Sequence, residues 1–558
     1  MSIRNSKIKQ SHYSVLIIGA GINGCGTFRD LCLQGIDCLL IDRGDICGGA
    51  SAAPSRLIHG GIKYLETNEF RLVRESAMER NRLLRNAPHY VKALEVVFPS
   101  KFWFAGLLDA VLGYVGFKAR IKERGALLVE IGLLIYDFYN RKVRALPDHR
   151  FYSKTKLRQE FPEVTRDAVA AGTYYEGRVT HAERLGLELV LDGLAANSAS
   201  ALCTYNQVIG QPKGQQLTLN DLITGETREV TADVIINAGG AWIDKVNEGL
   251  GIASHYMGGS KGSHLIVNHQ GLVDALRGRM MYFGCKDGRF NLIYPFFGHA
   301  LIGSTDLAIE NADEARCTVE ETDYLLGIVS EIFPKIKLKR DDVILTYCGV
   351  RPLPRAKGKD IGDVSRDHSI SRNMLPDTNV PVLSLIGGKW TTFRAFSEQT
   401  SDAVLELLRK PRKLSTVDLP IGGGRDYPKD DNERATFVGT IGADGAGLLE
   451  RYGTKALAIR SFASMSQDKP LSSLPSYTTG EITYICNHEN VRRLSDLLLR
   501  RTAITMEGKL SPEVIQETAD IAANALGWDK KRVVAEIEYA HADLARRSVQ
   551  NVRPETTA

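Results

Sequence analysis

The 558-residue sequence predicts an α/β protein with a parallel sheet interrupted by an α+β domain and followed by an all-α domain. Residues 14–42 have the pattern of a strand, a glycine-rich turn, a helix and a second strand, which is a βαβ unit. Two more short apolar strands, at 232–237 and 382–386, each precede paired glycines far along the chain. From about residue 410 the apolar residues recur at helical spacing. The separation of the strands indicates a discontinuous parallel-sheet domain.

The composition is that of a soluble globular protein and excludes several other classes. Hydrophobic residues make up 43% and charged residues 25%, which excludes a disordered or collagen-like chain. The net charge of +5 comes from 71 Lys and Arg against 66 Asp and Glu, too small a surplus to indicate a nucleic-acid-binding protein. The nine cysteines include no CxxC pair, so we expect reduced thiols and no metal site.

The turn after the first strand carries a Gly-x-Gly-x-x-Gly motif and predicts a dinucleotide site. Gly19 permits the tight turn, Gly21 lets the backbone approach a pyrophosphate, and Gly24 lets the helix pack closely on the sheet. The free N–H groups of the helix N-terminus favour phosphate. Asp42 ends the second strand, where a carboxylate can accept hydrogen bonds from a ribose. The predicted residues are Gly19, Gly21, Asn23, Gly24 and Asp42.

A second glycine-rich stretch, at 439–445, lacks the context of a nucleotide site. Polar residues at 431–434 lead into it, where a buried strand would be required. We therefore expect this stretch to be a loop of the helical domain. A flavoprotein without a separate nicotinamide site is favoured.

The inserted and C-terminal parts of the chain have patterns of their own. Residues 262–267 and 292–303 alternate and are rich in Ile, Tyr and Phe, as expected for an antiparallel sheet. Residues 411–424 resemble a linker, and Ser511-Pro512 predicts the start of a helix. The predicted domains are a discontinuous Rossmann-like domain (1–90, 150–250 and 345–410), a substrate domain (91–149 and 251–344) and a helical domain (425–558).

Several segments together resemble the FAD-dependent, respiratory glycerol-3-phosphate dehydrogenase family. They are residues 15–26, 55–61, 237–242, 261–264, 294–295, 303–306, 349–353, 365–367, 387–394 and, in the helical domain, 491–496. Their joint order and spacing cover nearly the whole chain. The resemblance implies an FAD-binding domain of the glutathione-reductase/amino-acid-oxidase type, a substrate domain related to that of amino-acid oxidases, and electron delivery to membrane quinone.

The same resemblance implies that two distant loops close around the flavin. The cofactor-binding residues that it adds are Ser51, Ser55, Arg56, Leu57, His59, Gly387, Gly388 and Thr391. The family pattern around residues 50–54 is richer in Ser and Thr than this chain is. Some hydroxyl contacts to the cofactor are therefore expected to be missing.

Oxidation of a secondary alcohol by a flavin needs a base for the hydroxyl proton, and a histidine with a near-neutral pKa suits that role. His264 matches the family's active-site histidine and is the predicted base. Alternatively, His264 only hydrogen-bonds the substrate while another group or water takes the proton. A phosphate group calls for cations, preferably arginine. The resemblance implies that Arg351 and Lys389 are catalytic cations and that Lys63, Tyr64 and Arg366 contact the substrate.

Lys63 departs from the family pattern, which carries an arginine at this place. Lysine keeps the positive charge but loses the planar fork, so we expect the phosphate contact to persist with altered geometry. This departure opens an alternative substrate, a longer polyol phosphate such as the tetritol phosphate erythritol 4-phosphate.

Residues 102–117 form an apolar run with one charge, followed by four basic residues within 118–124. The run is shorter than the roughly 20 residues that a spanning helix requires. Aromatic and aliphatic residues beside a basic cluster are typical of a segment that lies in the membrane interface. We predict a membrane contact at 102–124, with a buried core hairpin as the alternative.

The predicted function is oxidation of sn-glycerol 3-phosphate to dihydroxyacetone phosphate by hydride transfer to FAD, with electrons passed to membrane quinone. The alternatives are a tetritol-phosphate dehydrogenase, an oxidase that reduces oxygen to peroxide, and a flavin-binding regulatory protein without turnover. We expect a peripheral protein on the cytoplasmic face of the plasma membrane, with no nucleic-acid partner. The oligomeric state is left open, with a homodimer as one option.

Overall fold

The computed structural model describes residues 8–62, 69–106, 124–140, 145–355, 367–442, 444–465 and 468–547. The predicted substrate contacts Lys63, Tyr64 and Arg366 lie outside these residues, as does most of the predicted membrane segment. Within the described ranges, no helix is both long enough and apolar enough to cross a membrane.

The strands of the described residues form two sheets. In chain order they are β1 (His12–Ile18), β2 (Cys38–Asp42), β3 (Leu57–Ile58), β4 (Val91–Ser100), β5 (Arg150–Ser153), β6 (Ala170–Val179), β7 (Ala201–Thr204), β8 (Asn206–Lys213), β9 (Gln216–Asp221), β10 (Thr227–Asn237), β11 (Ser260–Val267), β12 (Met280–Gly284), β13 (Phe290–Phe296), β14 (His299–Gly303), β15 (Leu307–Ala308), β16 (Val343–Arg351), β17 (Ser369–Met374) and β18 (Pro381–Ile386).

The α-helices longer than one turn number fifteen in the described residues. They are α1 (Ile22–Leu33), α2 (Phe70–Asn86), α3 (Ala126–Asn140), α4 (Lys154–Glu160), α5 (Ala182–Ala196), α6 (Ile243–Gly249), α7 (Gln270–Leu276), α8 (Val319–Ile332), α9 (Phe393–Leu407), α10 (Asp431–Ile441), α11 (Gly445–Tyr452), α12 (Ala456–Ser464), α13 (Thr479–His488), α14 (Pro512–Leu526) and α15 (Lys530–Ala545). A short helical turn, Leu494–Asp496, continues into a π-helical turn, Leu497–Arg501.

The first sheet is the predicted parallel sheet. Its order is β17-β18-β10-β1-β2-β7, and the strands from β18 to β7 run parallel. One face packs on α1, α5 and α9, while the other is covered in part by the β8–β9 hairpin. Burial on both faces explains why these strands are continuous apolar runs in the sequence. The predicted fold class is confirmed, and the loops after β1, β2, β10 and β18 meet at one edge of the sheet.

The second sheet is mostly antiparallel and has the order β15-β11-β14-β13-β12-β4-β6-β3, with β16 beside β11 and β5 beside β6. Helices α7 and α8 pack on one face, and the opposite face joins a core with the helical domain. Residue His264 on β11 lies opposite Gly303 of β14 and Tyr347 of β16. The sheet therefore presents the predicted base between two partner strands.

The strand pairing divides the chain differently from the predicted domain ranges. Strands β5 and β6 pair with each other, and β6 pairs with β4 over ten residues, so residues 150–179 belong to the second sheet. Strand β16 pairs with β11, although residues 345–410 were predicted to belong to the parallel-sheet domain. The apolar pattern of a strand predicts that it is a strand, but it does not predict which distant strand it will pair with.

The helical domain begins at α10. Ser511 accepts a hydrogen bond from Val514 N–H and Pro512 follows it, so the predicted helix start is confirmed. The stretch 439–445 is not the predicted loop, because Gly439 lies within α10 and Gly445 begins α11. A Cβ on Gly445 would lie 2.5 Å from the carbonyl oxygen of Val438. This glycine is needed where the two helices approach closely, which explains the composition without a nucleotide.

Candidate active site

A cavity of about 1580 Å³ lies where the loops after the parallel strands meet the second sheet. Its walls include the glycine turn after β1, the loops after β2 and β18, and residues of β11, β14 and β16. Ligand pockets usually enclose about 300–1,000 Å³. The cavity therefore has room for a large cofactor together with a small substrate.

The glycine turn after β1 leaves no space for larger residues. Gly19 has a φ of 114°, and a Cβ on it would lie 2.5 Å from the carbonyl oxygen of Ala238. A Cβ on Gly24 would lie 1.9 Å from the carbonyl oxygen of Gly19. The N-cap Gly21 has no side chain to cap α1, and the hydroxyl of Ser51 accepts a hydrogen bond from Ile22 N–H at 2.9 Å. The start of α1 lines the cavity, so its remaining N–H groups can bind an anion there.

Asp42 joins the turns that follow β1 and β2. Its Oδ2 accepts a hydrogen bond from Ala20 N–H and its Oδ1 accepts one from Gly44 N–H, both at 2.7 Å. Burial raises the pKa of the Asp42 carboxyl above its ordinary value. Each carboxylate oxygen can accept a further hydrogen bond, so Asp42 can bind a ribose while it stabilises the turn.

The loop after β18 closes the cavity opposite α1. Gly387 and Gly388 have φ values of 76° and 89°, which residues with a side chain rarely adopt. Asn23 donates a hydrogen bond from Nδ2 to the Gly387 carbonyl at 3.3 Å, and Thr391 accepts one from His59 N–H at 3.2 Å. Ser55, Leu57 and His59 line the same cavity. The structure therefore brings together three distant parts of the chain that were predicted to hold the cofactor.

Arg56 does not fit the predicted cofactor contact. Its side chain is 1% exposed and pairs with Glu183 of α5, with an Nη2–Oε1 distance of 2.5 Å. Burial alone would lower the pKa of Arg56, but the Glu183 carboxylate outweighs burial and raises it. The guanidinium is thus committed to the protein interior, where it anchors the loop that carries Ser55 and Leu57.

These features fit FAD. The start of α1 and the glycine turns would hold the pyrophosphate, Asp42 would bind the ribose, and the loops at 48–59 and 387–391 would enclose the isoalloxazine ring.

We expect Gly24→Ala to weaken FAD binding, because its Cβ would push α1 away from the turn after β1. Such overpacking typically costs about 1–3 kcal/mol of stability. The FAD content per chain and the midpoint of thermal unfolding measure both effects.

A matched control for that substitution is Gly327→Ala in α8, where no atom lies within 4 Å of the added Cβ. Alanine is favoured over glycine in helices by about 1 kcal/mol, so this variant should keep its FAD and its stability. Full FAD content and unchanged stability in Gly24→Ala would contradict the close approach of α1 to the turn.

His264 lies in the cavity wall on β11 and is almost completely buried. Its Nε2 is 2.8 Å from the hydroxyl of Ser55, and its ring stacks on Tyr347 with centroids 4.9 Å apart. A Cβ on the opposite residue, Gly303, would lie 2.1 Å from the imidazole. Only glycine at this position leaves space for the ring, which is consequently held in one orientation.

The environment of His264 differs from the predicted near-neutral base. Burial, followed by the positive charges of Arg351 and Arg56, lowers the pKa of His264 to about 3. The imidazole is therefore neutral at physiological pH and able to accept a proton. It becomes a stronger base only when negative charge enters the cavity, since an anion stabilises the imidazolium.

Arg351 ends β16 and lies over Gly262 of β11, where a Cβ would be 2.2 Å from Nη2. Its Nη1 donates hydrogen bonds to Asp306 at 3.0 Å and to the Ser260 hydroxyl at 3.3 Å. Its Nη2 donates to the Ser304 hydroxyl and to the Thr305 carbonyl, both at 3.1 Å. An anionic substrate would replace neutral acceptors among these partners. Arg351 thus adds a cation to the wall that carries His264.

Lys389 also lines the cavity and donates a hydrogen bond to the Ser76 hydroxyl of α2 at 2.9 Å. The structure brings His264, Arg351 and Lys389 to one cavity, as the resemblance implies.

Glu176 is a cavity residue that the sequence analysis missed. It lies on β6, and its Oε2 accepts hydrogen bonds from Gly60 N–H at 2.8 Å and from Arg80 at 2.9 Å. Burial raises the pKa of Glu176 above its ordinary value. The sequence feature that could have indicated Glu176 is a carboxylate within a strand whose other residues are mostly buried. Glu176 fixes the backbone beside His59 and thereby orients the cofactor loop.

The helical domain also reaches the cavity, which the sequence did not predict. The lining residues that it contributes are Ser495, Arg500, Tyr539, Asp543, Arg546 and Arg547. Ser495 lies within the stretch 491–496, which carries the family resemblance in this domain. That stretch is the sequence feature that could have indicated a contribution of the helical domain to the cavity.

Two family models match the chain. A model described as FAD dependent oxidoreductase matches residues 14–375, and one described as C-terminal domain of alpha-glycerophosphate oxidase matches residues 414–533. Among solved structures, a glycerol-3-phosphate dehydrogenase from Bacillus halodurans complexed with FAD is similar, with a TM-score of 0.75 and 21% identity over 99% of this chain and 98% of the other. That likeness shows a shared fold over the whole length.

Curated relatives span both domains. The chain is 31% identical to a glycerol-3-phosphate dehydrogenase of Synechocystis sp., covering 96% of this chain and 97% of that protein. It is 26% identical to an aerobic glycerol-3-phosphate dehydrogenase of Bacillus subtilis, covering 88% of this chain and 87% of the relative. With its FAD-binding fold and helical C-terminal domain, the chain belongs to the FAD-dependent glycerol-3-phosphate dehydrogenase family.

Proposed function

We propose that this protein oxidises sn-glycerol 3-phosphate to dihydroxyacetone phosphate. The observation that carries the proposal is the neutral, buried His264 beside the Arg351 cation in the cavity that the FAD-binding loops enclose. The names of the curated relatives support this substrate. When bound, FAD supplies the acceptor for the hydride that leaves C2 of the substrate.

His264 accepts the proton of the C2 hydroxyl at Nε2, the ring nitrogen directed at Ser55 on the cofactor loop. The Ser55 hydroxyl is exchanged for the substrate hydroxyl as the substrate enters. Stacking on Tyr347 and contact with Gly303 hold the imidazole in place. This orientation keeps the acceptor nitrogen fixed, which is a requirement for efficient proton transfer.

Arg351 binds the phosphate of the substrate in this proposal. Its fork suits two phosphate oxygens, and the Ser260 and Ser304 hydroxyls are neutral acceptors that a dianion can replace. Lys389 adds a second cation, and Lys63, Tyr64 and Arg366 stay predicted contacts. The bound dianion offsets the positive charge that depresses the pKa of His264. Substrate binding thus strengthens the base at the moment when it is needed.

Anaerobic reduction of the bound flavin tests the proposal. Mixing the holoenzyme with sn-glycerol 3-phosphate should bleach the visible absorbance within one turnover, whereas glycerol should leave it oxidised. Bleaching by erythritol 4-phosphate but not by glycerol 3-phosphate would replace the proposed substrate with the tetritol phosphate that the Lys63 departure suggests. An absorbance unchanged by either phosphate would favour a flavin-binding protein without turnover.

The proposal includes membrane quinone as the electron acceptor of a peripheral protein on the cytoplasmic face of the plasma membrane. An exposed apolar surface supports it: the residues 102–104 and one side of α3. Its exposed side chains are Phe102, Trp103, Phe104, Leu127, Ile131, Leu134, Ile135 and Phe138. The spacing on α3 places its members on one face of the helix. A surface of this kind suits the interface of a membrane, and quinone is dissolved in the lipid of that membrane.

Helix α3 also connects this surface to the cavity. On its inner side the Tyr136 hydroxyl accepts a hydrogen bond from Arg80 at 2.5 Å, and Arg80 in turn contacts Glu176 in the cavity wall. The Tyr136 hydroxyl itself lies 3.4 Å from Glu176 Oε1, so α3 contacts the cavity wall on one side and carries exposed apolar residues on the other. Reoxidation of reduced enzyme by a short-chain quinone, without peroxide, would support the quinone; rapid peroxide formation in air would favour an oxidase.

We expect the variant Trp103→Ser/Phe104→Ser/Phe138→Ser to lose more than tenfold of its affinity for vesicles of zwitterionic and anionic phospholipid. Each apolar side chain that enters the interface contributes roughly 1–3 kcal/mol. Co-sedimentation measures binding, and reduction of an artificial dye should remain unchanged. A matched control replaces exposed apolar residues elsewhere, Val319, Leu457 and Met465. Equal losses in both variants would contradict this membrane surface.

A further inference from the structure

The segment 489–501 of the helical domain docks on the edge of the parallel sheet, at the end of β7. Arg492 donates a hydrogen bond from Nη1 to the Thr204 carbonyl at 2.7 Å, and Asn490 donates one to the Thr204 hydroxyl at 3.0 Å. Thr204 is the sheet partner of Asp42. The helical domain therefore reaches the end of the cavity that Asp42 marks, where the adenosine part of FAD is expected.

A buried carboxylate in the loop after β2 meets two arginines of this segment. Asp45 Oδ2 accepts hydrogen bonds from Arg500 Nε at 2.6 Å and Arg501 Nη1 at 2.7 Å, and its Oδ1 accepts one from Arg501 Nη2 at 2.8 Å. Burial would raise the pKa of Asp45, but the two guanidinium groups outweigh it and lower the pKa. Asp45 lies three residues beyond Asp42, so the arginines hold the loop that positions the ribose acceptor.

A second carboxylate connects the same arginine to the other wall of the cavity. Asp496 Oδ1 accepts hydrogen bonds from Arg500 Nη2 at 2.7 Å and from the Tyr205 hydroxyl at 2.5 Å. Tyr205 lines the cavity and donates its backbone N–H to the Gly44 carbonyl at 2.9 Å. The Asp45–Arg500–Arg501–Asp496 network, called the clamp below, thus ties both Gly44 and Tyr205 to the helical domain.

The position of the clamp indicates a role at the cofactor site in addition to its contribution to the stability of the fold. Buried ion pairs add little net stability compared with apolar packing, but they fix geometry. Three of its four members lie in the π-helical turn and the turn before it, and π-helical turns are frequent at functional sites. Arg500 and Asp45 line the cavity themselves. The clamp therefore lies at the loop next to the expected adenosine, whereas another buried pair across the same boundary, Arg184 with Glu489, lies outside the cavity wall.

We propose that the helical domain is part of the FAD site and that the clamp controls release of the cofactor. With the clamp closed, Asp45 and Tyr205 hold the loop after β2 and the end of β7 around the adenosine. FAD leaves when the clamp opens. This inference depends on FAD as cofactor and not on which alcohol is oxidised.

Flavin release from the holoenzyme of Asp45→Asn tests the proposal. The asparagine keeps the size of the side chain but weakens the charge-assisted bonds to Arg500 and Arg501, each of which is worth about tenfold or more in an equilibrium. We expect FAD to dissociate at least tenfold faster at 25 °C, followed by the rise of flavin fluorescence. On heating, flavin release should precede the loss of far-ultraviolet circular dichroism, whereas the two should coincide in the wild type.

Glu481→Gln is the matched control, because it weakens a buried pair with Arg451 that lies wholly within the helical domain and away from the cavity. This variant should unfold at a lower temperature while its flavin dissociation rate at 25 °C stays within twofold of the wild type. A dissociation rate in Asp45→Asn within twofold of the wild type would overturn the proposal. Equal acceleration in the control would also overturn it, since the effect would then be general destabilisation.

If Asp45→Asn does not fold, Arg500→Lys decides the question. Lysine keeps the charge, but a single ammonium cannot reproduce the guanidinium contacts to both Asp45 and Asp496. We expect flavin dissociation to be at least threefold faster with circular dichroism unchanged at 25 °C. An unchanged dissociation rate in this folded variant would overturn the proposal.

Discussion

His264→Ala is expected to slow reduction of the flavin by sn-glycerol 3-phosphate roughly 10²–10⁴-fold, the usual contribution of a general base. The imidazole is neutral, held by Tyr347 and Ser55, and directed toward the cofactor loop. Stopped-flow absorbance of the anaerobic holoenzyme measures the rate directly.

His299→Ala provides the control for that measurement. His299 lies on β14 of the same sheet and contacts the Glu507 carbonyl, outside the cavity wall. Its removal should leave flavin reduction within a factor of about two. A loss of less than tenfold in His264→Ala would mean that His264 only hydrogen-bonds the substrate and that another group or water takes the proton.

The pH dependence of the same step follows from the low pKa of His264. In the free enzyme the imidazole protonates near pH 3, so acid inactivation caused by His264 should lie well below its ordinary pKa of about 6.5. The substrate dianion favours the imidazolium and raises this pKa in the complex. The ratio of wild-type to His264→Ala reduction rates cancels titration of the substrate phosphate. As the pH is lowered, this ratio should begin to fall at a higher pH with saturating substrate than with limiting substrate.

Arg351→Ala should lower kcat/KM for sn-glycerol 3-phosphate about 10²–10³-fold. Losing two charge-assisted hydrogen bonds to the phosphate costs roughly 3–4 kcal/mol, and most of the loss should be in KM because the phosphate does not change during the reaction. Arg351→Lys keeps the positive charge but not the planar guanidinium fork, so its kcat/KM should lie between that of Arg351→Ala and that of the wild type. Steady-state assays with a dye acceptor measure both constants.

Arg372→Ala is the control for charge, because Arg372 is an exposed arginine of β17 outside the cavity wall. It should leave kcat/KM within about twofold. Removal of Arg351 also withdraws one of the cations that depress the pKa of His264, so acid inactivation should move to higher pH. An unchanged KM in Arg351→Ala would assign the phosphate to other cations.

The parallel sheet and the cofactor turn were predictable because their signals are local. The run before Gly19 must be apolar to be buried on both faces, and the glycines follow from the close approach of α1. The antiparallel strands around His264 were predictable for the same reason. Assignment of β6 and β16 to their sheet was not, because pairing depends on strands that lie far away in the chain.

The environments of individual side chains were also not predictable from the sequence. The resemblance placed Ser55 and Arg56 together at the flavin, yet Arg56 turns to Glu183 on a helix more than a hundred residues away. The prediction of a near-neutral base at His264 was wrong for the free enzyme, since burial and Arg351 lower its pKa. Neither effect can be read from neighbouring residues.

The sequence by itself determined the fold class, the FAD turn and the family, since each depends on short motifs whose spacing along the chain is fixed. Only the tertiary structure decided which charges meet. It set the electrostatic environment of His264, committed Arg56 to the interior, and joined Asp45 to Arg500 and Arg501 across more than 450 residues. Such contacts depend on how sheets and domains pack, and Coulomb energies depend on distance and burial in space rather than on separation in the chain.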